Sequence, residues 1–189
     1  MLAKKLSGKA RIRTGVCRGS YLHLFEPWAG DSSQDPKYSA CILIPEKDKE
    51  TIKLIKEAIA EATDLGQQTK WNGKVPKNLH DPLRDGDERE GDEYEGHFFL
   101  NANSKKKPQV VDKDLNPVDP DDVKSGDYLS FSLTFYPYAT SGNNGVAVGL
   151  DNAMLIKEGP ALGGSKPKAE SDFDDVEIEV TDDDEDMLD

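Results

Sequence analysis

One run of strict alternation constrains this 189-residue chain more than any other feature. In residues 128–138, Leu129, Phe131, Leu133 and Phe135 take every second position, with Tyr128, Ser130, Ser132, Thr134, Tyr136 and Tyr138 between them. Period two sends successive side chains to opposite faces of an extended strand, so the stretch has an apolar face for a core and a hydroxyl-bearing face opposite. Residues 145–158 repeat the pattern, with Val146, Val148, Leu150, Met154 and Ile156 expected inward. Gly145, Ala147 and Gly149 lie opposite them, and small residues in a row let a backbone or a flat ring approach closely.

Near the N-terminus, Ala10, Ile12, Thr14, Val16, Leu22 and Leu24 are expected on one strand face, and Lys9, Arg11, Arg13, Tyr21, His23 and Phe25 on the other. Gly15 and Gly19 are candidate bulge sites, and a single bulge would reverse the parity after it. Residues 37–45 and 97–102 read as further strands. The lysines of Ser104-Lys105-Lys106-Lys107-Pro108 form the expected tip of a hairpin returning through Gln109-Val110-Val111. Three lysines at a tip serve either solubility or a phosphate clamp.

A single helix is expected over residues 48–65. Ile52, Ile55, Ala58, Ile59 and Ala62 form one apolar stripe, Asp48 can cap the start, Lys53 and Glu57 are spaced to pair, and Gly66 reads as the stop. Residues 67–96 follow without clear periodicity. Trp71 there, among Lys70, Lys74 and Lys77, has the composition of a stacking and phosphate contact, and equally that of a pin holding the loop to the core.

Charge is distributed unevenly. Residues 166–189 hold twelve acidic residues and two lysines, which accounts for −10 of the formal net charge of −13. The preceding 165 residues therefore amount to only −3, and the first 25 contain six basic residues (Lys4, Lys5, Lys9, Arg11, Arg13, Arg18) and no acidic one. A block of like charges buries too little surface to offset its ordering entropy, so the tail is expected to be disordered and to serve as an interaction segment. The boundaries follow: a binding domain over 1–164 and an acidic tail over 165–189.

Catalytic signatures are missing from the sequence. It has no nucleophile elbow, P-loop, zinc-protease helix or dinucleotide fingerprint, and His23, His80 and His97 lie in separate segments without ligand spacing. Cys17 and Cys41, in strand-like stretches, read as buried free thiols. Asp112-x-Asp114-x-Asn116 imitates a calcium loop, but Pro117 and Val123 stand where glycine and glutamate are needed, so it is read as a turn. No metal, cofactor or enzymatic activity is expected. The alternative is a metal-dependent nuclease or other DNA-processing enzyme using the acidic loop 81–95. A protein-interaction domain whose tail mimics nucleic acid is a third reading. No apolar run reaches the roughly 20 residues that span a bilayer. The expected setting is therefore soluble and cytoplasmic, without a membrane partner.

About six strands, one helix and long loops on a small curved sheet point to a mainly β, OB-fold-like barrel, a fold that binds single strands through a cationic groove and aromatic platforms. Several segments then resemble a family of phage single-stranded DNA-binding proteins, of the podovirus type. They are Arg18-Gly19-Ser20-Tyr21 with Phe25-Glu26-Pro27, Lys37-Tyr38-Ser39-Ala40 through Ile44-Pro45, and Pro82-Leu83-Arg84-Asp85-Gly86-Asp87 with Tyr94-Glu95-Gly96. Gly145-Val146-Ala147-Val148-Gly149-Leu150-Asp151-Asn152 and Gly159-Pro160-Ala161-Leu162-Gly163-Gly164 continue the match in the same order. The resemblance implies an OB-fold body and sequence-tolerant binding of single-stranded DNA in phage replication or recombination, inside an infected bacterial cell. It also implies an acidic tail that competes for the DNA groove and recruits proteins such as a polymerase, helicase or recombinase.

On this reading Lys9, Arg11, Arg13, Arg18, Lys105, Lys106 and Lys107 neutralise phosphates, and Tyr21, Trp28, Trp71, Tyr136 and Tyr138 stack on bases. In the tail, Asp182, Asp183, Asp184, Glu185 and Asp186 precede Met187 and Leu188, where related tails commonly end in an aromatic residue. The apolar anchor for a partner is either Met187 with Leu188 or Phe173. Oligomeric state is left undecided, a homodimer included.

Overall fold

The computed structural model describes residues 2–30 and 35–163. Ten strands and one helix run in the order β1 (Lys4–Lys5), β2 (Arg11–Arg13), β3 (Cys17–Trp28), β4 (Lys37–Pro45), α1 (Lys49–Thr69), β5 (Leu79–His80), β6 (Arg84–Asp85), β7 (His97–Ser104), β8 (Gln109–Val111), β9 (Tyr128–Thr140) and β10 (Asn143–Lys157). Five of these strands close a ring. β3 pairs antiparallel with β4, β4 with β7, β10 with β9, and β9 back with β3, while β7 meets β10 in parallel. Numbered by their order in the chain, the ring reads 1-2-3-5-4-1, the connectivity of an OB-type barrel with the helix between its second and third strands.

The expected faces of β9 are borne out. Leu129, Phe131, Leu133 and Phe135 are buried inside the barrel with Ile42, Leu100, Val146, Val148 and Leu150. α1 packs against β2, β9 and β10, and Ile52, Ile55, Ala58 and Ala62 face inward. Burying an aliphatic side chain of this size contributes about 1.5–3 kcal/mol, which gives the barrel a core on the scale of an ordinary domain. Both cysteines are free and buried, and burial pushes the Cys17 thiol up to about 12. Asp112 makes the expected turn, accepting from the N–H groups of Asp114 and Asn116.

Three departures from simple alternation shape the barrel. At Gly15 the expected N-terminal strand breaks into β2 and β3. The Gly15 N–H donates to Thr51 Oγ1 at 2.8 Å, and a Cβ on Gly15 would collide with the Asp48 carboxylate that caps α1. Parity reverses there, so Cys17 is buried and Val16, expected inward, lies on the surface.

At Tyr21 one extra residue enters β3: Ser20 pairs with Cys41 and His23 with Ser39, so three steps on β3 oppose two on β4. Tyr21 takes up the excess in a left-handed conformation, φ +46°. At Asp151 one extra residue enters β10, between Leu150 opposite Leu133 and Asn152 opposite Ser132. Beyond it Ala153 and Leu155 oppose the inward-facing Phe131 and Leu129, so the inward assignment of Met154 and Ile156 is corrected.

Two further expectations change. α1 continues through Gly66 to Thr69, because Gly66 is there for close packing and not as a stop: a Cβ would lie 2.5 Å from two Trp71 ring atoms and 2.7 Å from Pro137 Cβ. The lysine-bearing segment 104–108 is a turn and not the tip of a hairpin. β7 already pairs with β4, β6 and β10, and β8 runs parallel to β10, with Val110 opposite Ala153.

Candidate nucleic-acid interface

The outer face of the barrel is built by the residues that alternate with the core. On β4 and β7, Ser39 opposes Asn103 and Cys41 opposes Asn101, while Ala40, Ile42, Leu100 and Ala102 point into the barrel. A single cross-strand row can be followed through paired residues: Arg11 to Thr134, Thr134 to Gly149, Gly149 to Asn103, Asn103 to Ser39, and Ser39 to His23. At about 4.8 Å between neighbouring strands, this row is roughly 24 Å long.

Two joined hollows lie along it. The first, about 340 Å³, is lined by Tyr21, His23, Trp28, Ser39, Ala40, Cys41, Arg89 and, on its floor, Asn101, Ala102 and Asn103. The second, about 210 Å³, is bordered by His80, Pro82, Arg84 and Tyr138 and shares Asn101 and Asn103 with the first. Tyr21 is 60% exposed and Trp28 55% exposed. Backbone irregularity explains why. The left-handed turn at Tyr21 throws its ring outward, and between His23 and Trp28 five steps of β3 oppose two of β4. That excess folds the strand back, so that the indole lies flat on the His23 imidazole with ring centres 4.8 Å apart and planes 9° apart. Burial holds His23 below its ordinary value, which favours a neutral ring beneath the indole. A stacked pair with an exposed indole is a ready platform for another flat ring.

Of the expected stacking residues, Tyr21 and Trp28 share the first hollow and Tyr138 borders the second. Tyr136, 42% exposed, stands beside Gly149 on the same outer face. Trp71 is corrected. It is 7% exposed, packed on Gly66 and Pro137, with Nε1 donating to the Tyr138 carbonyl at 3.3 Å, so it pins the loop and presents no face to a base.

The expected cations are dispersed. Arg11 is paired with Asp151 at 2.9 Å, Arg13 donates to the Leu2 carbonyl, and Arg18 donates to the carbonyls of Gly126 and Pro160. All three therefore have structural partners, and only Arg11 stands in the cross-strand row of the groove. Lys9 is exposed beside β2. Lys105, Lys106 and Lys107 follow directly on Ser104, whose partner Tyr38 neighbours the Lys37 that opposes Trp28, so the lysine turn lies at the Trp28 end of the face. Lys105 reaches Asp35 at 3.7 Å, an exposed pair worth little.

Sequence reasoning missed the two arginines of the acidic loop. Arg84 and Arg89 sit at 5.0 Å and 4.9 Å over the Phe99 ring, and Arg89 also at 4.3 Å over Tyr94. Among the described residues neither makes an ion pair, although acids surround them in sequence. Buried aromatic faces hold the guanidinium groups at the rim of the groove with their charge available. A signal was present, since Arg84 falls in one of the segments that carry the family resemblance.

The acids of that loop do other work. Asp85 caps the Asp87 N–H and Asp87 caps the Gly96 N–H. Glu46, Asp85 and Asp87 form the one grouping of three acids among the described residues whose ligand atoms lie within 4.8 Å of one another.

A second apolar patch covers the far part of the same outer face: Cys41, Leu43, Tyr94 and Phe99, closed by Leu162. Burial pushes the Tyr94 phenol up to about 12 and also raises the Cys41 thiol facing it. The segment leading to Leu162 is tied down at each step: the Gly159 N–H donates to Asp127, the Pro160 carbonyl accepts from Arg18, and the Leu162 N–H donates to the Ser125 carbonyl. Gly126 makes the seat, since a Cβ there would collide with the Pro160 carbonyl oxygen. Leu162 is thus held on the cluster that includes Cys41, which lines the first hollow. The tail residues singled out above, Phe173, Asp182, Asp183, Asp184, Glu185, Asp186, Met187 and Leu188, lie outside the described residues. Among the described residues no helix is long and apolar enough to cross a membrane.

Known proteins share the sequence family and the fold of this chain. Residues 10–188 match the family described as Enterobacter phage Enc34, ssDNA-binding protein. A putative protein p50 of Acyrthosiphon pisum secondary endosymbiont phage 1 is 30% identical over 179 residues, covering 89% of this chain and 95% of that one. Among solved structures, the single-stranded DNA-binding protein from bacteriophage Enc34 in complex with ssDNA superposes with a TM-score of 0.72 at 21% identity, over 86% of this chain and 98% of that one. Gp2.5, a single-stranded DNA binding protein encoded by bacteriophage T7, gives 0.61 at 17% identity, over 92% and 98%.

Proposed function

The chain belongs to the family of the Enterobacter phage Enc34 ssDNA-binding protein, and we propose from that premise that it binds single-stranded DNA along the outer groove without acting on it chemically. The observation that carries the reading is the pairing of exposed ring platforms, Tyr21 and the Trp28–His23 stack, with two guanidinium groups at the groove rim that have no carboxylate partner among the described residues. Bases stack on the rings, while Arg84, Arg89 and the lysine turn meet phosphates. Tyr138 and Tyr136 extend the stacking surface towards Arg11. Lys9, Arg11, Arg13 and Arg18 contribute long-range positive potential more than close contacts, because three of the four are held by structural partners.

The body over 1–164 is the binding unit, and the acidic tail over 165–189 acts on it as a tethered competitor. Its charge mimics a nucleic-acid backbone, and its point of departure beside Leu162 gives it a high effective concentration at the groove. When DNA displaces the tail, its acids and apolar residues become available to replication or recombination proteins in the infected cell.

A salt titration with a labelled oligonucleotide tests the proposal. Affinity should fall with a slope of about −0.7 per phosphate contacted, and removing the tail should tighten binding at low salt. Absence of salt-dependent binding refutes DNA binding, whereas equal affinities with and without the tail refute only the competition. The second reading, a metal-dependent nuclease, rests on the grouping of Glu46, Asp85 and Asp87. Incubation of single-stranded DNA with magnesium would then consume the strand, and Asp85→Asn with Asp87→Asn would abolish that loss.

A further inference from the structure

We infer that the groove floor reads bases as well as stacking them: the side-chain amides of Asn101 and Asn103, with the Ser39 hydroxyl, hydrogen-bond the edge of a nucleobase held against Tyr21 or the Trp28–His23 pair. This rests on the proposed binding of single-stranded DNA and adds a preference among bases to it.

The argument begins with position. Asn101 and Asn103 alternate outward on β7, opposite Cys41 and Ser39, and both line the two hollows where these join. The neighbour of Asn103 across β10 is Gly149, which puts no side chain on the floor, with the Tyr136 ring standing beside it. A planar ring can therefore come down to the sheet.

Hydrogen-bond accounting supplies the second step. At the Arg11 end of the row, polar side chains are occupied: Thr134 and Arg11 both donate to Asp151, and on the neighbouring stretch of β10 Asn152 accepts from the Gln109 N–H. Asn101, Asn103 and Ser39 have no side-chain hydrogen-bond partner among the described residues. A concave site walled by rings and floored by unused polar groups is the form that fixes a ligand's orientation.

Chemistry then selects the ligand part. Each amide offers two donors and one acceptor in a plane. Phosphate oxygens only accept, so a carbonyl oxygen at the floor is of no use to them, and the rim arginines already supply the donors they need. Base edges carry mixed donor and acceptor patterns that differ from base to base, and an amide can match such an edge with two parallel bonds. A matched edge therefore gains what a mismatched one loses.

The test compares the affinity of the full chain for oligo-dA, oligo-dC and oligo-dT of equal length at one salt concentration. The wild type should separate the best from the worst of these by about 5- to 150-fold. In Asn101→Ala/Asn103→Ala the preferred homopolymer should lose most, collapsing the ranking. Arg89→Ala should instead weaken all three together and flatten the salt dependence, with the ranking kept. Asn101→Ser/Asn103→Ser, which keeps polar side chains on the same strand, guards against a folding artefact and should also collapse the ranking. Equal wild-type affinities, or a ranking that survives both double substitutions, overturns edge reading while leaving stacking in place. No binding to any of the three overturns both the edge reading and the function beneath it.

Discussion

Alanine at Trp28 and at Trp71, introduced separately, should have opposite consequences, and the chain has only these two tryptophans to distinguish. Trp28 is 55% exposed, with one face on His23, so its removal forfeits the pairing of two stacked rings, about 0.5–1.5 kcal/mol of stability, beyond the partial area it buries. It also removes a base platform worth about 1–3 kcal/mol, a loss in single-strand affinity of about 5- to 150-fold. Trp71, 7% exposed and wedged between Gly66 and Pro137, is a core residue, and its truncation should cost about 3–5 kcal/mol. Out of the 5–15 kcal/mol typical of a domain, that is a severe loss. Denaturant unfolding measures the first quantity, and oligonucleotide titration under conditions where each variant is folded measures the second. Intrinsic fluorescence is an internal check: Trp71→Phe should keep DNA-induced quenching, and Trp28→Phe should abolish it. The reasoning fails if folded Trp71→Ala loses as much affinity as Trp28→Ala, or if Trp28→Ala binds like the wild type.

Gly66→Ala sets two known effects against each other: helix propensity favours alanine by about 1 kcal/mol, and overpacking against Trp71 and Pro137 costs about 1–3 kcal/mol. Both neighbours are anchored, so net destabilisation is expected in urea unfolding, and a stabilised variant would show that the contact relaxes freely. Arg84→Ala and Arg89→Ala should each lower the magnitude of the salt slope by about 0.7, whereas Arg18→Ala, which releases the carbonyls of Gly126 and Pro160, should chiefly lower thermal stability. An unchanged slope for both loop arginines would remove them from the interface. Burial holds His23 below its usual 6.5, so the stability contributed by its neutral form is present above that value. As pH falls below 6.5 the unfolded chain binds the proton first and stability declines, reaching its limit only below the lowered folded value. His23→Gln should flatten that acid-side decline in a melting-temperature series.

Local pattern determined a good deal of this protein by itself. Strict alternation in β9 placed Leu129, Phe131, Leu133 and Phe135 inside, the apolar stripe and Asp48 set the helix start, and residues 37–45 read as the strand they are. Such features are carried by neighbours along the chain, and the separation of a near-neutral body from an acidic tail needs only composition. Tertiary structure decided whatever depends on contacts between distant segments. Whether Val16 or Cys17 turns inward depends on how closely Gly15 approaches the cap of α1, and whether Met154 or Ala153 does depends on an extra residue at Asp151 held by Arg11 and Thr134. The same holds for the site. A tryptophan among lysines read equally as a platform and as a pin until helix packing buried Trp71, and two arginines in an acidic loop drew no role until Phe99 and Tyr94 proved to hold them at the groove rim. Charge and ring count are legible along a chain; which face of a ring is free, and which charge is unpaired, is settled only when the barrel closes.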